Sequence, residues 1–151
     1  MAWMVYFIFS PGRVETAENV PSVAWLPQGA RNVSYSRCHV WRAHEFDIDE
    51  QGFLAWAEGM GVTVERVGTE PFTIHRYSLD AADGSYPPNL GPDATPEEVA
   101  RREEAVERYW SVREKVIHNG YAYRQVRTNG GGVWVGYDLD SGRAYFYYAA
   151  R

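Results

Sequence analysis

Apolar residues recur every three or four positions between residues 96 and 118, which is the spacing of one face of an α-helix. Thr95 stands at the expected N-cap, Pro96 at the first helical position, and Glu98 completes a capping box. An Asn-Gly pair follows the segment, and glycine favours the end of a helix. The pattern therefore predicts one long helix at about residues 96–118.

A second, shorter helix is predicted at about residues 50–60. Phe53 and Trp56 are spaced so that they share one helix face. Asp49 suits the N-cap, and Ile48 stands at the position from which an apolar side chain packs against Phe53. A strand that leads directly into a helix is therefore expected here.

The remaining apolar runs predict strands. Continuous or alternating apolar residues occur at residues 3–9, 35–48, 62–67 and 72–79. Proline and glycine interrupt residues 10–34 and 80–95, so the first is expected to be irregular and the second to be a mobile loop. After the long helix, three apolar runs are separated by NGGG and DLDSG, whose residues tolerate the positive φ of tight turns. They predict a C-terminal three-stranded antiparallel meander.

These elements indicate an α+β fold, in which a mainly antiparallel sheet has both helices packed on one side. The chain has 151 residues, which suits a single globular domain over residues 1–151 and a core that needs no disulfide or metal. Hydrophobic residues make up 45% of the chain, an ordinary share, whereas aromatic residues reach 15%, a high share.

Charge and cysteine content restrict the partners and the location. The formal net charge is −5, which gives no general attraction to nucleic acid or to anionic membranes. Cys38 is the only cysteine, so no intramolecular disulfide points to an oxidising compartment. The opening run MAWMVYFIF is shorter than the roughly 20 apolar residues that cross a bilayer. It is interpreted as a buried strand, with the remnant of a trimmed export signal as the alternative, and the cytoplasm is the expected location.

A calcium-binding loop is the first candidate site. Asp47, Asp49 and Glu58 occupy positions 1, 3 and 12 of an EF-hand spacing, and Gly52 occupies position 6. In an EF-hand, Glu58 would lead into a continuing helix, but two glycines and the strand-like run VTV follow it. A helix capped by Asp49 accounts for the same residues, so no metal is predicted here.

The second candidate group contains Cys38, His39, His44, Glu45 and Asp47, all residue types found at metal sites. Along a strand only Glu45 and Asp47 would lie close together on one face. Adjacent strand residues point to opposite faces, which also separates the thiol of Cys38 from the imidazole of His39. Neither a metal, nor a cofactor, nor a Cys–His catalytic pair is predicted.

The C-terminal meander is rich in aromatic rings. Tyr121 and Tyr123 fall in its first strand, Trp134 in its second, and Tyr145 and Tyr147 in its third. Because the long helix can cover only one face of the sheet, rings on the other face are expected to contact a loop of the chain, a second copy of the chain, a protein partner or a ligand. The alternative is that these rings belong to the core, with the tyrosine hydroxyls directed to water.

Two function classes remain open from the sequence. The leading one is a non-catalytic binding or protein-interaction module that uses the aromatic sheet face. The alternative is a small hydrolase-like enzyme, with a site assembled from His44, His75, Glu45 and Cys38. Convergence of two of these polar groups in a cleft, within hydrogen-bond reach, would favour the enzyme.

Calcium is expected to leave the stability of the protein unchanged. If calcium were present at about 100 times the dissociation constant of a site, its binding would add about 2.7 kcal/mol to the free energy of unfolding. We therefore expect the same Tm with and without millimolar calcium in differential scanning calorimetry. A reproducible rise with calcium, absent with magnesium, would contradict the interpretation of Asp49 as a helix cap.

Overall fold

A computed structural model of the chain describes residues 14–77 and 86–150. Within these ranges it contains nine strands and two helices. They are, in chain order, β1 (Glu15–Val20), β2 (Arg31–Arg37), β3 (Trp41–Asp47), α1 (Glu50–Gly59), β4 (Glu65–Arg66), β5 (Phe72–His75), α2 (Pro96–Ser111), β6 (Glu114–Ile117), β7 (Gly120–Val126), β8 (Gly132–Asp138) and β9 (Arg143–Ala149). The strand expected at residues 3–9, and the part of the 80–95 loop before residue 86, lie outside the described residues.

Seven of these strands form one antiparallel sheet in the order β1-β2-β3-β9-β8-β7-β4, and β5 pairs with β6 in a separate two-stranded ribbon. The predicted α+β class and the C-terminal meander, β7-β8-β9, are confirmed. Gly130 and Gly142 adopt positive φ of 82° and 65° in the two turns of the meander. Only residues that tolerate this conformation permit such tight connections, as NGGG and DLDSG indicated.

The first face of the sheet packs against α1. Asp49 caps this helix by accepting a hydrogen bond of 2.7 Å from the backbone N–H of Gly52. Phe53, which is fully buried, stacks on Tyr137 of β8 with ring centroids 4.6 Å apart. The main core forms between the helix and the sheet from these buried residues: Ala30, Val33, Phe46, Ile48, Phe53, Val135, Tyr137 and Ala144.

The opposite face of the sheet is covered by the β5–β6 ribbon. Ile74 and Ile117 of the ribbon are buried against Tyr145 of β9 and form a second, smaller core. The ribbon packs so closely on the sheet that a Cβ atom added at Gly136 would lie 2.7 Å from the Cδ1 atom of Ile117. At Gly120, where β7 begins, an added Cβ would lie only 1.8 Å from the backbone oxygen of Tyr137.

The second helix is shorter than the sequence predicts. α2 ends at Ser111, and residues 114–117 form β6, so the expected extension to residue 118 is wrong. Ile117 is fully buried in the second core, and β-branched side chains favour an extended backbone. No described side chain of α2 is buried, so it does not cover the sheet with an apolar stripe. The capping box of Thr95 and Glu98 is confirmed.

The predicted strand at residues 35–48 is in fact divided between two strands. β2 ends at Arg37 and β3 begins at Trp41, and the backbone N–H of Cys38 donates to the carbonyl of Trp41 across the turn. No glycine or proline marks this turn, so the sequence gives no sign of it. The region 10–34, expected to be irregular, contains β1 and the start of β2.

Replacement of Gly120 by alanine is expected to destabilise the fold. The new methyl group would overlap a backbone carbonyl, which cannot move aside as a flexible side chain can, so we expect a loss of at least about 2 kcal/mol. Gly68→Ala is the matched control, because an added Cβ there meets no atom within 4 Å. Urea unfolding of both variants measures the difference, and equal stabilities would contradict the close packing at Gly120.

Candidate functional site

A cavity of about 310 Å³ opens on the α1 side of the sheet. Tyr35, His44 and Phe146 lie side by side on its floor, because they are successive register partners across β2, β3 and β9. Trp25, from the loop before β2, and Trp56, from α1, form walls. We call these five side chains the aromatic slot. The described lining also includes Leu26, Arg37, Arg42, Ala43 and Met60.

The rings of the aromatic slot contact one another in ordered geometries. His44 is stacked on Phe146 with centroids 4.5 Å apart and planes inclined by 10°. The edge of Trp25 meets His44 at 5.1 Å and Tyr35 at 5.4 Å. Trp56 lies 6.3 Å from Phe146. Stacked and edge-to-face pairs of this kind contribute roughly 0.5–1.5 kcal/mol each beyond the area they bury, so the walls are held without a ligand.

His44 is the polar group at the floor of the slot. Its Nε2 atom is shielded from solvent and has no hydrogen-bond partner among the described residues. Burial is the main reason that the pKa of His44 is lowered from 6.5 to about 3, and the positive charges of Arg42 and Arg37 lower it further. The imidazole is therefore neutral at physiological pH. A buried polar atom without a partner costs roughly 1–3 kcal/mol, so the slot contains an unmet hydrogen-bonding group.

Two arginines stand at the rim of the slot in neighbouring strands. Arg37 is bound to Glu15 at 2.9 and 3.0 Å, and the hydroxyl of Tyr35 donates to the same carboxylate at 2.9 Å. Arg42 is exposed, and its guanidinium makes no hydrogen bond or ion pair with the described part of the chain. The rim thus carries one neutralised and one unpaired guanidinium.

A second cavity, of about 490 Å³, lies on the opposite face of the sheet. Glu45, 2% exposed, accepts hydrogen bonds of 2.7 and 3.1 Å from Arg76 and one of 3.1 Å from Arg143. The Tyr77 hydroxyl has no hydrogen-bond partner within residues 14–77 and 86–150, and burial raises its pKa to about 12. Both oxygens of Glu45 accept from guanidinium groups, so this carboxylate is held by charge-assisted hydrogen bonds from two elements. It serves as an ionic link between β3, β9 and the residue after β5.

The four residues of the possible hydrolase site do not come together. His44 faces the aromatic slot, whereas Glu45 points to the other side of the sheet. His75 packs against the ring of Tyr147, 4.8 Å away, and Cys38 lies in the turn between β2 and β3. No hydrogen bond joins any two of the four. The convergence that would favour an enzyme is not found among them.

The residues of the EF-hand-like spacing have other roles. Asp47 binds Arg143 at 2.6 Å, and Asp49 is the cap of α1. A Cβ at Gly52 would lie 2.9 Å from the side chain of Ile48, so this glycine makes room for an apolar contact at the start of the helix. Over the ranges 14–77 and 86–150, no three His, Cys, Asp or Glu side chains are grouped closely enough to hold a metal ion.

The aromatic residues of the meander do not share one face of the sheet. Tyr121 and Tyr123 pack with the main core on the α1 side, and Tyr121 donates to Glu50 at 2.6 Å. The other three rings, those of Trp134, Tyr145 and Tyr147, belong to the second core under the β5–β6 ribbon. The continuous patch expected from the alternation is therefore divided in two. Tyr145 is only 3% exposed.

The residues of the aromatic slot were not singled out as a group from the sequence. Trp25 falls in a region expected to be irregular, and Trp56 has the spacing of an ordinary core residue. Tyr35 and Phe146 come into contact with His44 only through the pairing of β2, β3 and β9. The one available signal was the high aromatic content, which gives the number of rings but not their positions.

Comparison with known proteins gives no family for this chain. No protein-family model, no curated protein and no solved structure matches it. Neither helix in the described part of the chain is long and apolar enough to cross a membrane.

Acidification is expected to destabilise the protein through His44. Its folded-state pKa lies below the unfolded value, so between about pH 6.5 and 3 the unfolded chain binds more protons and stability falls as the pH falls. From pH 7 to pH 5 this group should remove about 2 kcal/mol from the free energy of unfolding. Urea titrations at both pH values measure the loss.

The variant His44→Phe isolates this contribution, because phenylalanine retains the stack on Phe146 and cannot bind a proton. Its stability should fall by about 2 kcal/mol less than that of the wild type between pH 7 and pH 5. His39→Gln, at an exposed position, is the control. An identical pH dependence in the wild type and His44→Phe would show that His44 is not shielded from water.

Proposed function

We propose that this protein is a non-catalytic binding module, and that the aromatic slot takes a small ligand with a planar apolar ring. The observation that supports this proposal is the open cavity lined by four aromatic side chains and the imidazole of His44. Ligand pockets combine apolar walls with a few polar groups that fix orientation, and this slot has both.

The size of the slot restricts the ligand. Its volume of about 310 Å³ is at the lower end of the range for small-molecule pockets. A ligand with one or two fused rings fits that space, and stacking between Trp25 and Trp56 would supply much of its binding energy.

The arrangement of titratable groups supports binding over catalysis. An acid–base or nucleophilic mechanism needs at least two polar groups within reach of one reacting atom. His44 is the only histidine of the slot, and its low pKa makes it a weak base. The charged groups of the opposite face bind one another, as the contacts of Glu45 illustrate.

The neutral compound naphthalene-2-carboxamide is a suitable probe of the slot. In ¹H–¹⁵N NMR spectra, millimolar probe should shift the indole N–H signals of Trp25 and Trp56 and leave that of Trp110, on α2, in place. Trp25→Ala should weaken binding by about threefold to tenfold, because one ring contact is lost.

Trp110→Ala is the matched control, because Trp110 is 37% exposed and Trp25 is 41% exposed, but Trp110 lies outside the slot. Absence of any shift at millimolar probe, or equal shifts at Trp110, would contradict the proposal. Binding that appears only when residues 1–13 are removed would assign the slot to the chain's own apolar N-terminal segment, and would also contradict an external ligand.

A further inference from the structure

The charges at the rim of the aromatic slot do not cancel. Arg37 and Arg42 are register partners in β2 and β3, two residue pairs along from Tyr35 and His44, so their side chains emerge on the same face as those rings. Arg37 places its Nε and Nη2 atoms at 3.0 and 2.9 Å from the carboxylate of Glu15. The positive charge of Arg37 is therefore matched within the fold.

Arg42 has no such counter-charge in the described part of the chain. It is exposed, it lines the slot, and its register partner on the other side is Tyr148 of β9. A guanidinium carries five N–H donors in a planar fork that matches a carboxylate. The unpaired fork of Arg42 stands at the edge of an aromatic cavity whose polar floor group, His44, is neutral.

We infer that the aromatic slot selects ligands that carry a negatively charged group beside the planar ring, and that Arg42 is the residue that selects them. This inference rests on the proposed function of the slot. The ring enters between Trp25 and Trp56, and the acid group stays at the rim, where it remains partly hydrated while it binds the guanidinium. The ligand class is thus a planar aromatic anion.

A cationic ligand is the main alternative for a cavity with aromatic walls, since ring faces attract cations. In this slot the guanidinium of Arg37 already lies over Trp25 at 5.1 Å and over Tyr35 at 5.6 Å from the ring centroids. A second cation would meet the guanidinium of Arg37 beside these rings and the repulsion of Arg42. No carboxylate among the described lining residues would offset that repulsion.

Three probes with the same ring system test the charge preference directly. Naphthalene-2-carboxylate, naphthalene-2-carboxamide and naphthalen-2-ylmethylammonium differ mainly in charge, and their affinities can be compared by NMR titration at pH 7 and low salt. We expect the carboxylate to bind about fivefold more tightly than the carboxamide, and the ammonium probe to bind most weakly. The preference for the carboxylate should decrease as salt is added.

Variants assign the preference to one residue. Arg42→Gln should bind the carboxylate and the carboxamide equally, and Arg42→Lys should retain part of the preference through its charge. Arg124→Gln is the matched control, because this exposed arginine lies on the opposite face of the sheet, beside Trp134 in the register. It should bind all three probes as the wild type does.

The outcomes separate this inference from the proposed function. Equal binding of the three probes by the wild type would overturn the charge selectivity and leave the slot as a binding site for planar rings. A charge preference that persists in Arg42→Gln would overturn the role of Arg42. Failure of all three probes to shift Trp25 and Trp56 would overturn the proposed function itself.

Discussion

The register between β3 and β9 is the constraint on which both cavities depend. Seven pairs hold residues 41–47 against residues 143–149, so His44 meets Phe146 and Glu45 meets Tyr145. Because side chains alternate between the two faces of a strand, a slip of one residue would exchange the faces of all these side chains. The imidazole would then lie under the ribbon, and the carboxylate of Glu45 would lie in an apolar aromatic cluster without its arginines. Both outcomes are costly, which fixes the register.

Glu45 shows how the charged side of the sheet is held together. Its carboxylate receives Arg143 from the neighbouring strand and Arg76 from the residue after β5, so one buried charge joins the sheet to the ribbon. Removing one partner of such a buried pair leaves an uncompensated charge and destabilises by roughly 3–5 kcal/mol, even where the pair itself adds little net stability. The ribbon is thus attached to the sheet in two ways, through its small apolar core and through the hydrogen bonds of Arg76 to Glu45.

Local signals predicted the elements whose chemistry lies within a few neighbouring residues. The cap at Asp49, the capping box at Thr95 and the turns of the meander all act through such short-range contacts, and all are found as expected. The end of α2 was missed because Ile117 is extended for a long-range reason, its burial against the ribbon and sheet. The aromatic slot was missed for the same kind of reason, since its side chains come from a loop, a helix and three strands. Periodicity places a ring on a face but does not show which other ring it meets.

The identity of residue 44 is not explained by the stability of the fold. A phenylalanine there would keep the stack on Phe146 and the edge contact with Trp25, and it would remove a shielded nitrogen that has no partner. Replacing an unsatisfied polar group by an apolar one of similar shape is generally neutral or stabilising. Residues that lower the stability of the fold are expected mainly at functional sites. The imidazole at the floor is such a group, and the guanidinium of Arg42 stands at the rim of the same cavity. The planar aromatic anion that we propose would place its ring above this floor and its anionic edge beside Arg42, towards solvent.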